Sequence, residues 1–386
     1  MAVQALGAAR VWELVKGAAV AAQDREDCAA HIAAEGRPSR RGGRLEDGLA
    51  RWRSRAMQSA PEEDLHQAAR MGGGYVIPGD EAWPVALDDL GPARPLGLWW
   101  RGPGFESLAR LGAGPWSEAR LLAVIGTRDP SAYGIHVTEQ LVTGLRERDV
   151  CILSGGALGI DVAAHRTALE IGEGRPATMA VLAGGIDRLY PAANSATLSV
   201  IGRRHLLLSE HPPGTSTARW RFLARNRIIA ALGCGTLVTE GRWRSGALNT
   251  ANSAAELGRW VGAVPGPITS GESELPHRLI REAGADLVTC VQDVVGDLGW
   301  DGAESGATPT DGQAQLPFPN DPEHPTDGMD PVEERLWEAL PRRGGLGLDQ
   351  LVSAAGLSVS EALAGLERLA GRGAAAEVPG GGWKRG

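Results

Sequence analysis

Between residues 120 and 290 seven short runs recur: "LLAVIG", "VCILSG", "TMAVLAG", "HLLLSE", "GTLVTE", "WVGAVPG" and "ADLVT". Each is a few residues of mainly Leu, Val, Ile and Ala, bounded by Gly, Ser, Thr or Pro. A strand with one wet face alternates apolar and polar residues; these runs do not. Strands that are apolar throughout belong to a sheet covered on both faces, and helices are what cover a parallel sheet. Helix-like stretches at 133–148, 160–171, 219–232 and 246–258 lie between the runs. The pattern predicts an α/β fold, a Rossmann-like, doubly wound and mostly parallel sheet. In such a sheet ligands bind beyond the carboxyl ends of the strands, where the chain order reverses.

The 386 residues exceed what this sheet needs. Residues 1–70 are rich in Ala and Arg and read as short helices, a small helical N-terminal region. The core spans 71–299 and includes the lead-in "YVIPGDEAWPVALDDLGPARPLGLWWRG", whose prolines break helices and whose Tyr, Val, Leu and Trp suit short strands. Residues 300–329 lack periodicity, are rich in Pro, Gly and acids, and read as a linker. Residues 330–386 restart the helical pattern, with Asp330 as N-cap and Pro331 in the first helical position. Three helices and a Gly-rich hairpin there predict a small winged-helix domain.

A formal net charge of −8 does not favour nucleic acid as a ligand, but the charge is unevenly spread. Lysine occurs only at Lys16 and Lys384. Between Arg219 and Arg259 stand Arg219, Arg221, Arg225, Arg227, Arg242, Arg244 and Arg259 against Glu240 and Glu256 alone. A basic island of arginines suits bidentate phosphate contacts and base stacking. The four cysteines, Cys28, Cys151, Cys234 and Cys290, are far apart and form no CxxC pair, so neither a disulfide framework nor a zinc site is expected. No apolar run has transmembrane length and no leader pattern opens the chain, so no membrane role and a cytoplasmic location are expected.

Four elements carry candidate chemistry. In "CILSGGALGIDVAAH" a strand ends at Ser154, Gly155, Gly156 and Gly159 shape a turn, and a helix follows. Its N-terminus favours an anion, yet the spacing is neither G-x-G-x-x-G nor a P-loop, and the turn could equally hold nothing. Asp161 suits the helix dipole and the loop's shape; His165, one turn on, reads with it as a buried hydrogen-bonded pair supporting the pocket. "AVIGTRDPSAYG" puts Gly126, Thr127 and Arg128 at the end of the first core strand. "ARWRFLARNRIIAAL" gathers Arg225, Asn226 and Arg227, two guanidinium forks and an amide, with Trp220 expected in the core. "GRWRSGALNTANSAAE" opens a helix at Ser245 and Gly246, after an Arg-Trp-Arg that suits stacking plus phosphate pairing.

These motifs, with "MAVLAGGIDRLYP", "LLLSEHPPG", "VGAVPGPITSG" and "LIREAGA", follow one another in an order that resembles the bacterial DNA-processing protein A (DprA/Smf) family over roughly 75–290. The resemblance implies a Rossmann-like core that binds single-stranded DNA, forms homodimers and loads the RecA recombinase onto that DNA during natural transformation. It implies no catalytic residue, no metal and no cofactor. Carried over residue by residue, the DNA pocket is Arg128, Ser154 with the glycines of "SGGALG", and Arg225, Asn226 and Arg227, while Leu279 and Ile280 belong to the dimer contact. Before Arg-Asn-Arg the family commonly has a proline and a basic residue; here Leu223 and Ala224 stand in their places, which removes a charge. The N-terminal region is expected to be a truncated helix-hairpin-helix-like module.

Two other functions fit parts of the sequence. "GCGTLVTE" resembles the loop of Rossmann nucleoside-monophosphate phosphoribohydrolases, with Glu240 as the residue supporting N-glycosidic cleavage. A winged helix could instead make the chain a double-stranded-DNA regulator. The domain plan itself is testable: limited proteolysis should cut within 300–329 and release a stable core and a small C-terminal piece, because an acidic Pro/Gly stretch buries no core. Protection of 300–329 would overturn it.

Overall fold

The computed structural model describes residues 2–34, 45–56, 59–107, 120–171, 176–243, 245–300, 329–341, 344–378 and 381–386. The segments 35–44 and 301–328 lie outside them, and so do Arg244 and all of the expected linker except its ends. The chain divides into two compact units, one formed by Glu62–Pro319 and one by Met1–Pro61 with Asn320–Gly386.

The first unit is built on a nine-stranded sheet. Its strands are β1 (Gly73–Val76), β2 (Leu98–Arg101), β3 (Leu121–Ile125), β4 (Cys151–Ser154), β5 (Thr178–Leu182), β6 (Leu206–Ser209), β7 (Gly235–Val238), β8 (Trp260–Ala263) and β9 (Asp286–Leu287). The spatial order is β1-β2-β6-β5-β4-β3-β7-β8-β9. From β3 to β9 every pairing is parallel, while β1 and β2 join antiparallel at the β6 edge. Each predicted apolar run is one of these strands.

Period-two alternation explains why both strand faces are apolar. Leu121, Ala123, Leu153, Met179 and Val181 point to one side, where Ile228, Ile229 and Leu232 of the helix Arg219–Leu232 cover them. Leu122, Val124, Ile152 and Leu237 point to the other, against Leu141, Val142 and Leu145 of Ala132–Arg146 and Ile160 and Ala164 of Ile160–Glu170. Moving a strand by one residue would exchange these two sets, so the two covering layers fix the register. The chain winds β3-β4-β5-β6 in one direction, then crosses back through Arg219–Leu232 to β7 on the far side of β3. The order therefore reverses at β3, and a crevice opens at the carboxyl ends of β3, β4 and β7.

The helix Pro61–Arg70 is grouped, but for its first residue, with the sheet: Ala68 packs with Trp99 and Ile186. In the second unit the helices Ala8–Lys16, Ala22–Ala34 and Leu45–Ala56 bury Val11, Leu14, Cys28 and Leu49 together. The helices Pro331–Ala339, Leu348–Ala355 and Val359–Gly371 bury Leu336, Leu351, Leu366 and Leu369, and the antiparallel pair Ala375–Val378 and Gly382–Arg385 follows them. Asp330 caps the first of these three, accepting from the N–H groups of Val332 and Glu333, with Pro331 next to it. Among the described residues no helix is long and apolar enough to cross a membrane.

Two expectations change. Leu279 is fully buried in its own chain, packed with Leu275, Val238 and Ala251, and Ile280 rests half-buried on the same cluster. The helix Glu274–Glu282 turns its apolar face inward, so Leu279 is a core residue and no exposed dimer contact. Trp220 is half-buried, edge-on to His211, and is not a core residue. Leu279→Ala should accordingly cost about 2–5 kcal/mol of stability, read from urea unfolding, and Leu279→Arg should lose the folded state. A folded, monomeric Leu279→Arg protein would contradict this packing.

Candidate nucleic-acid interface

The crevice is held together by backbone. The Thr127 N–H donates to the Glu240 carbonyl (2.7 Å) and the Thr127 carbonyl accepts from the Ile160 N–H (3.1 Å). One residue after β3 thus ties the loop after β7 to the helix after β4. A Cβ on Gly126 would lie 2.6 Å from Ile160, and one on Gly159, at φ +80°, would lie 2.3 Å from the Thr127 carbonyl. Close approach explains glycine at both positions.

The "SGGALG" turn closes over a side chain. Arg225 is buried, and its Nη1 donates to the carbonyls of Gly155 (2.8 Å) and Val181. A Cβ at Gly155 would lie 2.4 Å from the guanidinium. Asp161 accepts from the N–H groups of Gly155 and Ala157, both at 3.2 Å. Asn194 braces the turn from outside, donating to the carbonyls of Gly156 and Ala157 at 3.0 and 2.9 Å. Burial pushes the Asp161 carboxyl up, against the nearby Arg225 charge that pulls it down; burial also lowers Arg225 to about 10, still protonated at neutral pH. Ser154 is fully buried and donates to the Val124 carbonyl at 2.7 Å, locking β4 to β3.

Asp161 and His165 do not form the expected pair: among the described residues no hydrogen bond joins them. His165 lies 2.7 Å from the Thr178 hydroxyl, which itself donates to Ile152. The ring therefore sits against β4 and β5, away from the crevice. Burial lowers it to about 3, so it is neutral.

In front of this scaffold lies a cavity of about 610 Å³. Arg128, Arg219, Arg225 and Arg242 contribute to its walls, against Asp161 as the one lining acid among the described residues. Arg128 is exposed and stands over the Phe222 ring at 5.4 Å, and Phe222 faces Tyr190 with ring centroids 5.8 Å apart. Ser245 and Gly246 form the opposite wall, at the start of the helix Gly246–Glu256. The Ser245 hydroxyl is buried and has no partner among the described residues. Asn226 bridges the two walls, its Nδ2 donating to the Gly246 carbonyl at 3.2 Å.

Gly126, Thr127, Arg128, Arg225, Asn226, Ser245 and Gly246 are thus brought together, while Ser154, Gly155, Gly156 and Gly159 form the packing behind. Arg227 is not among them. It points to the other side of its helix, where it bonds the Ala93 carbonyl (2.8 Å) and Glu210 (2.6 Å). Arg259 likewise pairs with Asp89. Arg227 and Arg259, part of the basic island of the sequence, are thus turned away from the cavity.

Residues 74–299 match the family model described as DNA recombination-mediator protein A. The chain belongs to this family. A Mycobacterium tuberculosis protein carrying the DprA name is 44% identical over 317 residues, 80% of this chain and 76% of that one. The DNA processing protein DprA of Streptococcus pneumoniae is 47% identical over 177 residues, 46% of this chain and 61% of that one. Among solved structures, the S. pneumoniae DprA structure superposes with a TM-score of 0.58 at 32% identity, covering 77% of this chain and 93% of that one. DNA processing protein A from Helicobacter pylori, described for its single-stranded DNA binding mode, gives 0.50 at 27% identity, covering 59% and 96%.

Sequence reasoning in this recombination-mediator chain missed Tyr190, Asn194 and Phe222, single residues in loops or on a helix with no spacing to flag them. It also misplaced Glu240. That carboxylate is buried and receives the Ser131 N–H (2.9 Å) and hydroxyl (2.6 Å), anchoring the start of Ala132–Arg146. A pH dependence follows from His165. Its folded pKa of about 3 lies below the unfolded value, so only the unfolded chain takes up this proton between about 6.5 and 3. Its contribution is complete above about 6.5 and falls with pH by about 1.4 kcal/mol per unit through that window. Urea midpoints from pH 7 to 4.5 should therefore fall more steeply for the natural protein than for His165→Met; equal slopes would refute the assignment.

Proposed function

We propose that the cavity at the carboxyl ends of β3, β4 and β7 binds the backbone of single-stranded DNA, and that the protein delivers this DNA to the RecA recombinase. The observation that carries the proposal is the clustering of four arginines around one lining acid at the switch point of the sheet, in a chain of net negative charge. Arginine forks match phosphate oxygens, and the Phe222 and Tyr190 rings offer faces on which bases stack. The first turn of Gly246–Glu256, which has no side-chain cap, adds the positive end of a helix dipole. The family description as a recombination mediator and the single-stranded DNA binding of the H. pylori relative support the same reading. Homodimerisation and a role in natural transformation are carried by family membership alone.

The enzyme alternative loses its central group: Glu240 is committed to Ser131 and does not line the cavity. No catalytic role is proposed. A duplex reader is also disfavoured. We take the C-terminal helices and strand pair as a winged helix, and its third helix, Val359–Gly371, exposes Val359, Leu363 and Glu367, while Arg368 is engaged by Asp330 and Glu333 and Arg372 by Glu333. Such a face offers little to neutralise a duplex backbone.

The test is a salt titration of oligo-dT binding. Arg128→Ala should weaken binding and shallow the log–log slope by about 0.7, one phosphate's worth on a single strand. Arg227→Ala, facing Glu210, should leave that slope unchanged. If the folded Arg128→Ala protein binds as the natural one does, or Arg227→Ala alone shallows the slope, the DNA lies elsewhere. Delivery to RecA is read separately, from RecA ATPase activity on oligo-dT with and without this protein.

A further inference from the structure

The loop between β7 and the helix Gly246–Glu256 supplies Arg242 and Ser245 to the cavity, yet its fastenings lie behind the cavity. The Gly241 N–H donates to the Glu272 carbonyl at 2.6 Å, and the Leu275 N–H donates to the Gly241 carbonyl at 2.9 Å. Arg242 is paired with the Glu272 carboxylate, which holds its guanidinium above the usual range. Trp243 turns inward onto the cluster around Leu275 and Leu279. The Arg278 guanidinium stands 3.4 Å from the centroid of the Trp243 ring and is held by Glu282 at 3.0 Å. Arg278 is outside the cavity lining.

These contacts make a clamp. Trp243 follows Arg242 directly, so the ring's position bears on where the Arg242 side chain stands. An arginine stacked on the face of an indole contributes attraction that a neutral side chain lacks. We propose that Arg278 is a positioning residue for the phosphate cavity: by pinning Trp243 it holds the adjoining Arg242 so that it faces the ligand. The helix Glu274–Glu282 thereby controls the affinity of a site it does not touch. This rests on the single-stranded DNA reading of the cavity.

The experiment is a double-mutant cycle on labelled oligo-dT, with thermal melts and sedimentation confirming that each variant keeps its fold and assembly. Arg278→Ala should weaken binding about three- to tenfold and shallow the salt slope by no more than Arg242→Ala does, because it acts only through Arg242. Arg278→Lys, which keeps a cation over the ring, should recover most of the loss. In an Arg242→Ala background the Arg278→Ala change should have little further effect, whereas a general structural role would cost the same in both backgrounds. Trp243→Leu should reproduce Arg278→Ala and serves if that variant does not fold. Additive effects, a slope for Arg278→Ala shallower than that of Arg242→Ala, or unchanged affinity would each overturn the proposal. The two levels separate cleanly: if Arg128→Ala leaves binding intact the cavity reading fails, and if Arg128→Ala weakens binding while Arg278→Ala does not, only the clamp fails.

Discussion

The crevice depends on one buried guanidinium. Arg225 enters from the crossover helix Arg219–Leu232 and passes beneath the turn after β4, where it bonds the Gly155 and Val181 carbonyls. A buried cation is costly unless it is paired and its donors are used. Here the turn offers a carbonyl, β5 offers another, and Asp161 supplies the opposite charge nearby. Gly155 is glycine because a side chain would occupy the guanidinium's place. The glycine-rich turn is thus explained by what lies under it. Replacing Arg225 would leave the Asp161 carboxylate buried without its nearby counter-charge and should destabilise the turn.

From that point the remaining contacts follow in sequence. Asp161 fixes the turn by its N–H groups, which fixes the start of Ile160–Glu170. Ile160 then bonds Thr127, and Thr127 bonds Glu240, so the ends of three strands are set by a chain of backbone bonds. Glu240 is itself pinned by Ser131, which caps the helix leaving β3. A carboxylate that looks like a catalytic group in the sequence is a structural tie between two strand ends. The loops that carry Arg128 and Arg242 are therefore mounted on a rigid frame, although both side chains reach solvent.

The sheet was legible because full burial leaves a plain mark: no charged residue occurs in "LLAVI" or "TMAVL", and those runs are β3 and β5. The reversal at β3 was legible only as a class of fold, since strand order is not written in any one segment. Directions of side chains were harder. In Arg-Asn-Arg successive residues of a helix are turned by about 100°, so Arg225 goes under the turn, Asn226 toward Gly246 and Arg227 toward Glu210. Reading the three as one cluster ignored that rotation. Leu279 failed for another reason: an apolar helix face looks the same whether its own sheet or a second copy covers it. Asp161 and His165 share a helix face by spacing, yet Asp161 bonds the turn after β4 and His165 bonds Thr178 of β5.

The charges limit what such a cavity can hold. Arg225 is offset by Asp161, and Arg242 is shared with Glu272. Arg128 and Arg219 also line the cavity. Counterion release scales with the phosphates neutralised, about 0.7 per contact on a single strand, so this lining suits a short stretch of backbone and not a long wrapped tract. The rings of Phe222 and Tyr190 add attraction that salt does not screen, since a stacked base needs no counter-charge. A longer strand would therefore need cavities on successive copies of the protein, each gripping a few nucleotides. On the proposed reading of the cavity, linked weak sites of this kind would gain affinity through effective concentration.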